Sequence, residues 1–208
     1  MPVILLMAML LNACAVTNQL HTTSQALTNN LESVVLKSSG IGFITPSSVT
    51  GQEEDRQALA LAFTEVMKKE RPDLHIVSLP EMLGAINRAE LASEYRQMFE
   101  DYRLTGIFSR DTLRKVSQAS GVRYLAQLKL GGFRQESKGR WGMLGMRVVE
   151  TKTAFLRVYL QIWDGETGQI AWEGGQELTS AHESVKEDAI PFKTAVELAA
   201  NELVAHLP

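Results

Sequence analysis

From Ala154 to Trp163 the chain alternates without a break: Ala154, Leu156, Val158, Leu160 and Ile162 occupy one set of positions, and Phe155, Arg157, Tyr159, Gln161 and Trp163 the other. A period of two puts successive side chains on opposite faces of a strand, so this run predicts a strand with an aliphatic face turned into a core. Asp164-Gly165-Glu166-Thr167-Gly168 follows directly and supplies turn residues, after which Ile170 and Trp172 resume the apolar pattern. The segment therefore predicts a hairpin. Two strands are marginal by themselves in water, so the rest of the chain must provide further strands and a helical cover.

Those partners are legible. Tyr124, Ala126, Leu128 and Leu130 alternate with Arg123, Gln127 and Lys129 after Gly121, which predicts another half-buried strand. Ile41, Phe43 and Ile44 lie between Gly40, Gly42 and Pro46 and suit a short buried strand, as do Ile76 and Val77 before Leu79-Pro80. From Gln52, the set Leu59, Ala62, Phe63, Val66 and Met67 recurs with helical spacing, with Lys68, Lys69 and Arg71 toward the carboxyl end and Pro72 beyond. Met82, Leu83, Ile86 and Leu91 continue as helix. Tyr95, Met98, Phe99 and Tyr102 form an aromatic stripe whose spacing reads as core. Thr105-Gly106 breaks it, Ser109 caps the next helix, and Gly121 ends that one. Phe192, Ala195, Val196, Ala199 and Leu203 mark a terminal helix after Pro191. The order β-α-β-α-α-α-β-β-β-α predicts an α/β (α+β) chain: a mixed, largely antiparallel sheet of about five strands with helices packed on its faces, not a doubly wound dinucleotide fold.

The amino-terminal part reads as an address. Residues 3–11 are an uncharged apolar run, about half the length that spans a bilayer and the length of a signal-peptide core. Leu11-Asn12-Ala13-Cys14 then resembles the bacterial lipoprotein box, in which a signal peptidase cuts before a cysteine whose thiol is lipidated. Residues 1–13 are accordingly expected to be a signal peptide, 14–32 a lipidated tether carrying acyl chains such as palmitate on Cys14, and 33–208 a single periplasmic α/β domain. Residues 15–32, rich in Thr, Asn, Ser and Gln, read as a coil. No positive charge precedes the apolar run, so the translation start is open, and the alternative is a first core element with Cys14 buried as a small hydrophobe. Cys14 is the single cysteine of the 208 residues, so neither an internal disulfide nor a multi-thiolate metal site is available.

No catalytic motif emerges. The histidines are His21, His75, His182 and His206, and His182-Glu183 lacks the second histidine a zincin helix needs, so no metal and no cofactor are expected. Gly40-Ile41-Gly42 lacks the third glycine and the strand-to-helix setting of a pyrophosphate loop. Glu53-Glu54-Asp55 stands at a helix start, where carboxylates favour the dipole. Lys and Arg number 21 against 24 Asp and Glu, a net charge of −3 that excludes a global field for nucleic acid. The unusual stretch is Arg134 to Val149, with three glycines, basic residues, Trp141, Met143, Leu144 and Met146 between two strands. It reads either as a surface that docks on a partner or membrane interface, or as a hairpin extension folded back on its own sheet.

Gly121-Val122-Arg123-Tyr124-Leu125, and later Thr153 to Ile162 followed by Asp164-Gly165-Glu166-Thr167-Gly168-Gln169-Ile170-Ala171-Trp172, carry a family likeness. They resemble the periplasmic domain of the TolB amino-terminal-like group, the curli-secretion-channel lipoproteins and the penicillin-binding-protein activator lipoproteins. The likeness covers roughly residues 40–205 in order of elements, with short motifs. It implies a non-catalytic lipoprotein on the periplasmic face of the outer membrane, toward which Ala15 after the cysteine leans. Such a protein is an accessory or assembly factor of a secretion, appendage or polysaccharide-export complex. It implies contact with lipid through acylated Cys14, with envelope proteins and with further copies of itself; the composition of the 134–149 stretch makes Trp141, Met143, Leu144 and Met146 the residues expected to form part of the protein contact. The alternatives are a subunit of a curli-like channel, against which the short interruption at 134–149 counts, and an envelope hydrolase with an unrecognised carboxylate site.

Overall fold

The computed structural model describes residues 19–48, 53–143, 146–184 and 191–208. Seven strands and six helices follow in chain order: β1 (Gln19–Thr28), α1 (Ser33–Ser39), β2 (Ile41–Phe43), β3 (Ser47–Ser48), α2 (Glu53–Glu70), β4 (Ile76–Val77), α3 (Leu79–Arg88), α4 (Ala92–Thr105), α5 (Arg110–Ser120), β5 (Tyr124–Met143), β6 (Met146–Asp164), β7 (Ile170–Ser184) and α6 (Phe192–Ala205). They build one mixed sheet in the order β1-β7-β6-β5-β2-β4, with β3 also on β5. The half from β1 to β5 is antiparallel, while β2, β3 and β4 join in parallel. This is the expected α/β class with helices on both faces. No described helix is long and apolar enough to cross a membrane.

Alternation along β5 and β6 feeds two cores. On one face Leu128, Leu130, Val158, Leu160 and Ile162 pack with Phe43, Trp172 and the inner residues of α2 and α6, all under 9% exposed. On the other, Leu125 and Trp163 meet Met82, Met98, Phe108, Leu113 and Val116 from α3, α4, α5 and their connections. The aromatic stripe is core as expected, with Tyr95 and Met98 buried and Phe99 and Tyr102 half-buried. Gly106 and Gly121 end α4 and α5 in left-handed conformation (φ 72° and 71°).

Two expectations are corrected and one element is added. The coil between 15 and 32 is a strand over Gln19–Thr28, paired antiparallel to the outer edge of β7 from Gln19↔Ala181 to Thr28↔Trp172. An edge strand needs only backbone ladder bonds, and its side chains from His21 onward are mostly exposed, so no apolar period marks it. The Ser24 hydroxyl also donates to the carbonyl of the buried Gln176 side chain. Residues 33–39, which carry no clear period, form a two-turn helix that buries Leu36. Finally, the stretch from Arg134 to Val149 does not interrupt the strands: β5 and β6 stay paired from Tyr124↔Asp164 to Met143↔Met146, with register shifts at Leu130/Gly132 and on either side of Trp141. Glycines and bulges absorb the twist of so long a ladder and blur the alternation that would have shown it in the sequence.

The turn between β6 and β7 is pinned by charge. Arg123 donates to Asp164 through Nε and Nη2 at 3.1 and 2.7 Å, while the Glu166 amide donates to Asp164 Oδ1 at 2.9 Å. Gly168 closes the turn at φ 76°, a conformation costly for any residue with a Cβ. Burial by itself would raise the Asp164 pKa, but the guanidinium and the amide outweigh it and hold it below the ordinary value. A depressed carboxylate contributes stability that is present above its unfolded pKa, about 3.9, and lost as pH falls through the folded value. Asp164→Asn should therefore be less stable than the parent at pH 7 by about 1–3 kcal/mol. In urea denaturation, the gap should close as pH drops below about 4; a gap independent of pH would contradict this account.

Candidate functional site

The residues singled out from sequence fall at the far end of the β5–β6 hairpin or beyond the described chain. Trp141 and Met143 end β5 and Met146 begins β6, with Trp141 opposite Val149 and Met143 opposite Met146. Leu144 and Cys14 lie outside the described residues. The fold thus brings the backbone of Trp141, Met143 and Met146 together at one tip. The Phe133 ring meets Phe192 of α6 edge-on at 5.0 Å, and past that pair β5 continues from Arg134 to Met143 paired with β6, which β7 flanks in turn as far as Glu150↔Ser184. Ten strand residues extend about 33 Å.

A second site, on the body of the domain, was not read from the sequence. It opens at the carboxyl end of β2, where Ile44 leaves the strand and Thr45-Pro46 turns into β3. The cavity measures about 680 Å³, with Thr45 and Ser47 at its floor, Tyr95, Phe99, Tyr102 and Arg103 from α4 along one wall, and Lys129 of β5 opposite. A crevice outside the carboxyl ends of parallel strands is where open α/β sheets place ligands.

Local chemistry builds each wall. Spacing of three and four residues along α4 puts Tyr95, Phe99 and Tyr102 on one face, where Tyr95 and Phe99 meet edge-on at 5.0 Å and Tyr102 stacks on Phe108 at 4.2 Å. The Thr45 amide donates to Tyr95 Oη at 2.8 Å and the two hydroxyls stand 3.0 Å apart. Burial pushes the Tyr95 pKa up to about 12 against the opposing Thr45 donors, so the phenol stays neutral and anchors the departing β2 backbone. Behind this wall the Tyr102 hydroxyl donates to Gln161 Oε1 and Gln161 Nε2 to Glu173 Oε1, each at 3.2 Å. Burial raises the Tyr102 pKa, opposed by the neighbouring Gln127 amide. Gln127, opposite Gln161 in register and 1% exposed, is without a hydrogen-bond partner of good geometry for its side-chain amide among the described residues.

The charge of the groove departs from that of the chain. Arg56, Arg96, Arg103 and Lys129 line it against the single acid Glu100, whose carboxylate is held by Arg96 at 2.6 Å. The local balance is positive although the protein carries −3. Among the described residues no group of three or more His, Cys, Asp or Glu is placed to hold a metal ion. The sequence displayed the aromatic stripe but assigned all of it to the core; only the turn at Thr45 and the approach of Lys129 from a distant strand make its outer edge a wall. Replacing Tyr95 by Phe should keep the ring packing, orphan the Thr45 amide, and lower stability by about 1–2 kcal/mol. Chemical denaturation should show this as a shifted midpoint with an unchanged slope.

No family model and no curated protein matches the chain. Among solved structures it is similar to the PelC dodecamer from Paraburkholderia phytofirmans, at 7% identity over 90% of this chain and 97% of that one, with a TM-score of 0.49. It is also similar to lipoprotein GNA1162 from Neisseria meningitidis, at 11% identity over 80% of this chain and 96% of that one, with a TM-score of 0.42.

Proposed function

We propose that the chain is a lipid-anchored accessory or assembly factor of a bacterial envelope complex, acting by protein contact and without catalysis of its own. The observation that carries this reading is the β5–β6 hairpin, which stays paired past the Phe133–Phe192 contact and past the last described β6–β7 pair, Glu150↔Ser184, to Met143↔Met146, and places Trp141, Met143 and Met146 at its end. A sheet extension that β7 flanks as far as Glu150↔Ser184, with Trp and Met on the two strands beyond that pair, is suited to docking, because both residue types provide large adaptable contact area and interfaces are enriched in them. The lipoprotein-box resemblance at Leu11 to Cys14 supplies the anchor in this reading, and acyl chains on Cys14 would hold the domain at the periplasmic face of the outer membrane. The resemblance to the TolB amino-terminal-like and curli-secretion groups supports the same class of role, with self-association as one form of the contact.

A curli-like channel made by this hairpin is disfavoured by its composition. A strand in a lipid-facing barrel must turn one alternate set of side chains to hydrocarbon. Along Arg134–Met143 one set runs Arg134, Glu136, Lys138 and Arg140, and the other runs Gln135, Ser137 and Gly139 before reaching Trp141 and Met143. Neither is apolar, so the arm suits an aqueous compartment.

The test is recovery from crosslinked cells. Full-length protein should carry an acyl mass, fractionate with membranes and bring down envelope proteins; Cys14→Ser should lose the mass and the fractionation. Replacing Trp141, Met143, Leu144 and Met146 together by Ser should leave the far-UV spectrum and melting of the domain near those of the parent, yet abolish partner recovery. Unchanged recovery by that quadruple variant would refute the docking role of the arm, and an unmodified Cys14 would refute the anchor.

A further inference from the structure

The groove at the end of β2 has an apolar neighbour. A second cleft of about 390 Å³ lies between α2 and α3, lined by Ala60, Leu61 and Thr64 on one side and by Leu79, Pro80 and Leu83 on the other. It shares Thr45, Pro46 and Arg56 with the groove, so the two adjoin. Leu61 and Leu83 are 57% and 41% exposed, although Leu59 and Phe63 of α2 and Met82 and Ile86 of α3 already fill the cores. Neither exposed leucine is needed for packing.

We propose that cleft and groove form one bipartite site for an anionic amphiphile, a single alkyl chain in the cleft and a carboxylate or phosphate head in the groove. Thr64 and Ser78, beside the leucines of the cleft, are satisfied from within. The Thr64 hydroxyl donates to the Ala60 carbonyl at 2.7 Å, and the Ser78 amide and hydroxyl both donate to Glu81 Oε2 at 2.8 and 2.6 Å. The Thr45 amide at the junction is taken by Tyr95. A peptide laid there would bury amides without partners, whereas an alkyl chain has none to satisfy. The groove offers the opposite surface. Arg103 and Lys129 are exposed and make no ion pair among the described residues. Guanidinium and ammonium groups suit a carboxylate or phosphate head, and the aromatic wall of Phe99 and Tyr102 covers the first methylenes. The site stands on the body of the domain and does not depend on what the hairpin docks to.

The test uses the full chain carrying Cys14→Ser, so that it bears no acyl group of its own, and titration calorimetry below the micelle concentration of each probe. Dodecanoate and dodecyl phosphate are the two anionic probes and separate the head groups; dodecanol and inorganic phosphate are the half-probes. Saturable binding of either anion at one per chain, weaker for both half-probes by about tenfold or more, is expected. Arg103→Glu with Lys129→Glu should weaken the anion by at least about tenfold and leave dodecanol unchanged. Leu61→Ser with Leu83→Ser should weaken the anion as well, and these surface changes should leave the melting transition in place. Dodecanol binding as tightly as dodecanoate, inorganic phosphate binding as tightly as its dodecyl ester, indifference to either pair of substitutions, or no saturable binding would each overturn the proposal. Displacement of the bound anion by an acidic peptide of equal affinity would overturn it in favour of a peptide site.

Discussion

The antiparallel ladder between β5 and β6 is the element on which the other contacts depend. β5 pairs with β6 along its whole length on one edge, and on the other it receives β2 and β3 in parallel, so it joins the two halves of the sheet. Its alternate residues serve opposite cores: Leu128 and Leu130 face α2 and α6, while Leu125 belongs with Trp163 and the helices α3 to α5. A slip of one residue would exchange those faces and bury Lys129 and Arg157 where leucines now sit. The pair of Arg123 and Asp164 stands at the open end of the ladder, where β5 begins and β6 ends, and ties its starting register to the turn that launches β7.

From that register two separate surfaces arise on the same strand. Near its start, β5 carries Lys129 into the groove beneath α4; at its end it carries Trp141 and Met143 to the tip of the arm. The first surface is built by tertiary convergence, with walls from α2, α4, the β2 exit and β5. The second is built by local continuity, since two paired strands that run on past the last described β6–β7 pair, Glu150↔Ser184, carry their end away from it by length alone. A domain arranged in this way can hold a ligand on its body and a partner at its tip without either surface sharing a side chain with the other.

Much of this architecture follows from short-range patterns. The hairpin from Ala154 through Asp164 to Trp172, the strand after Gly121, the helix stops at Gly106 and Gly121 and the aromatic stripe of α4 all declare themselves by period or by turn chemistry, because burial of one face imposes a repeat on the residues that face it. β1 does not, because a strand paired along one edge and exposed on its faces needs only backbone donors and acceptors, which every residue carries. Nor does the full length of β5 and β6, where Gly131, Gly132, Gly139 and Gly142 and the register shifts interrupt the alternation.

The candidate sites divide along the same line. Tip residues were visible because Trp and Met in a glycine-rich basic stretch are out of place in a solvated loop, a property of composition. The groove was not visible because each residue lining it has an ordinary local reason to be where it is: Tyr95 and Phe99 look like core, Lys129 like the outer face of a strand, and Thr45-Pro46 like a turn. The sequence by itself determined the central strands, most of the helices, their order and the class of fold, since these depend on the spacing of apolar side chains and on turn residues. Only the tertiary structure decided which edge β1 joins, how far the hairpin extends, and that an aromatic helix face, a strand lysine and a chain turn meet around one cavity. Contacts between residues fifty or more positions apart leave no period in the chain that makes them.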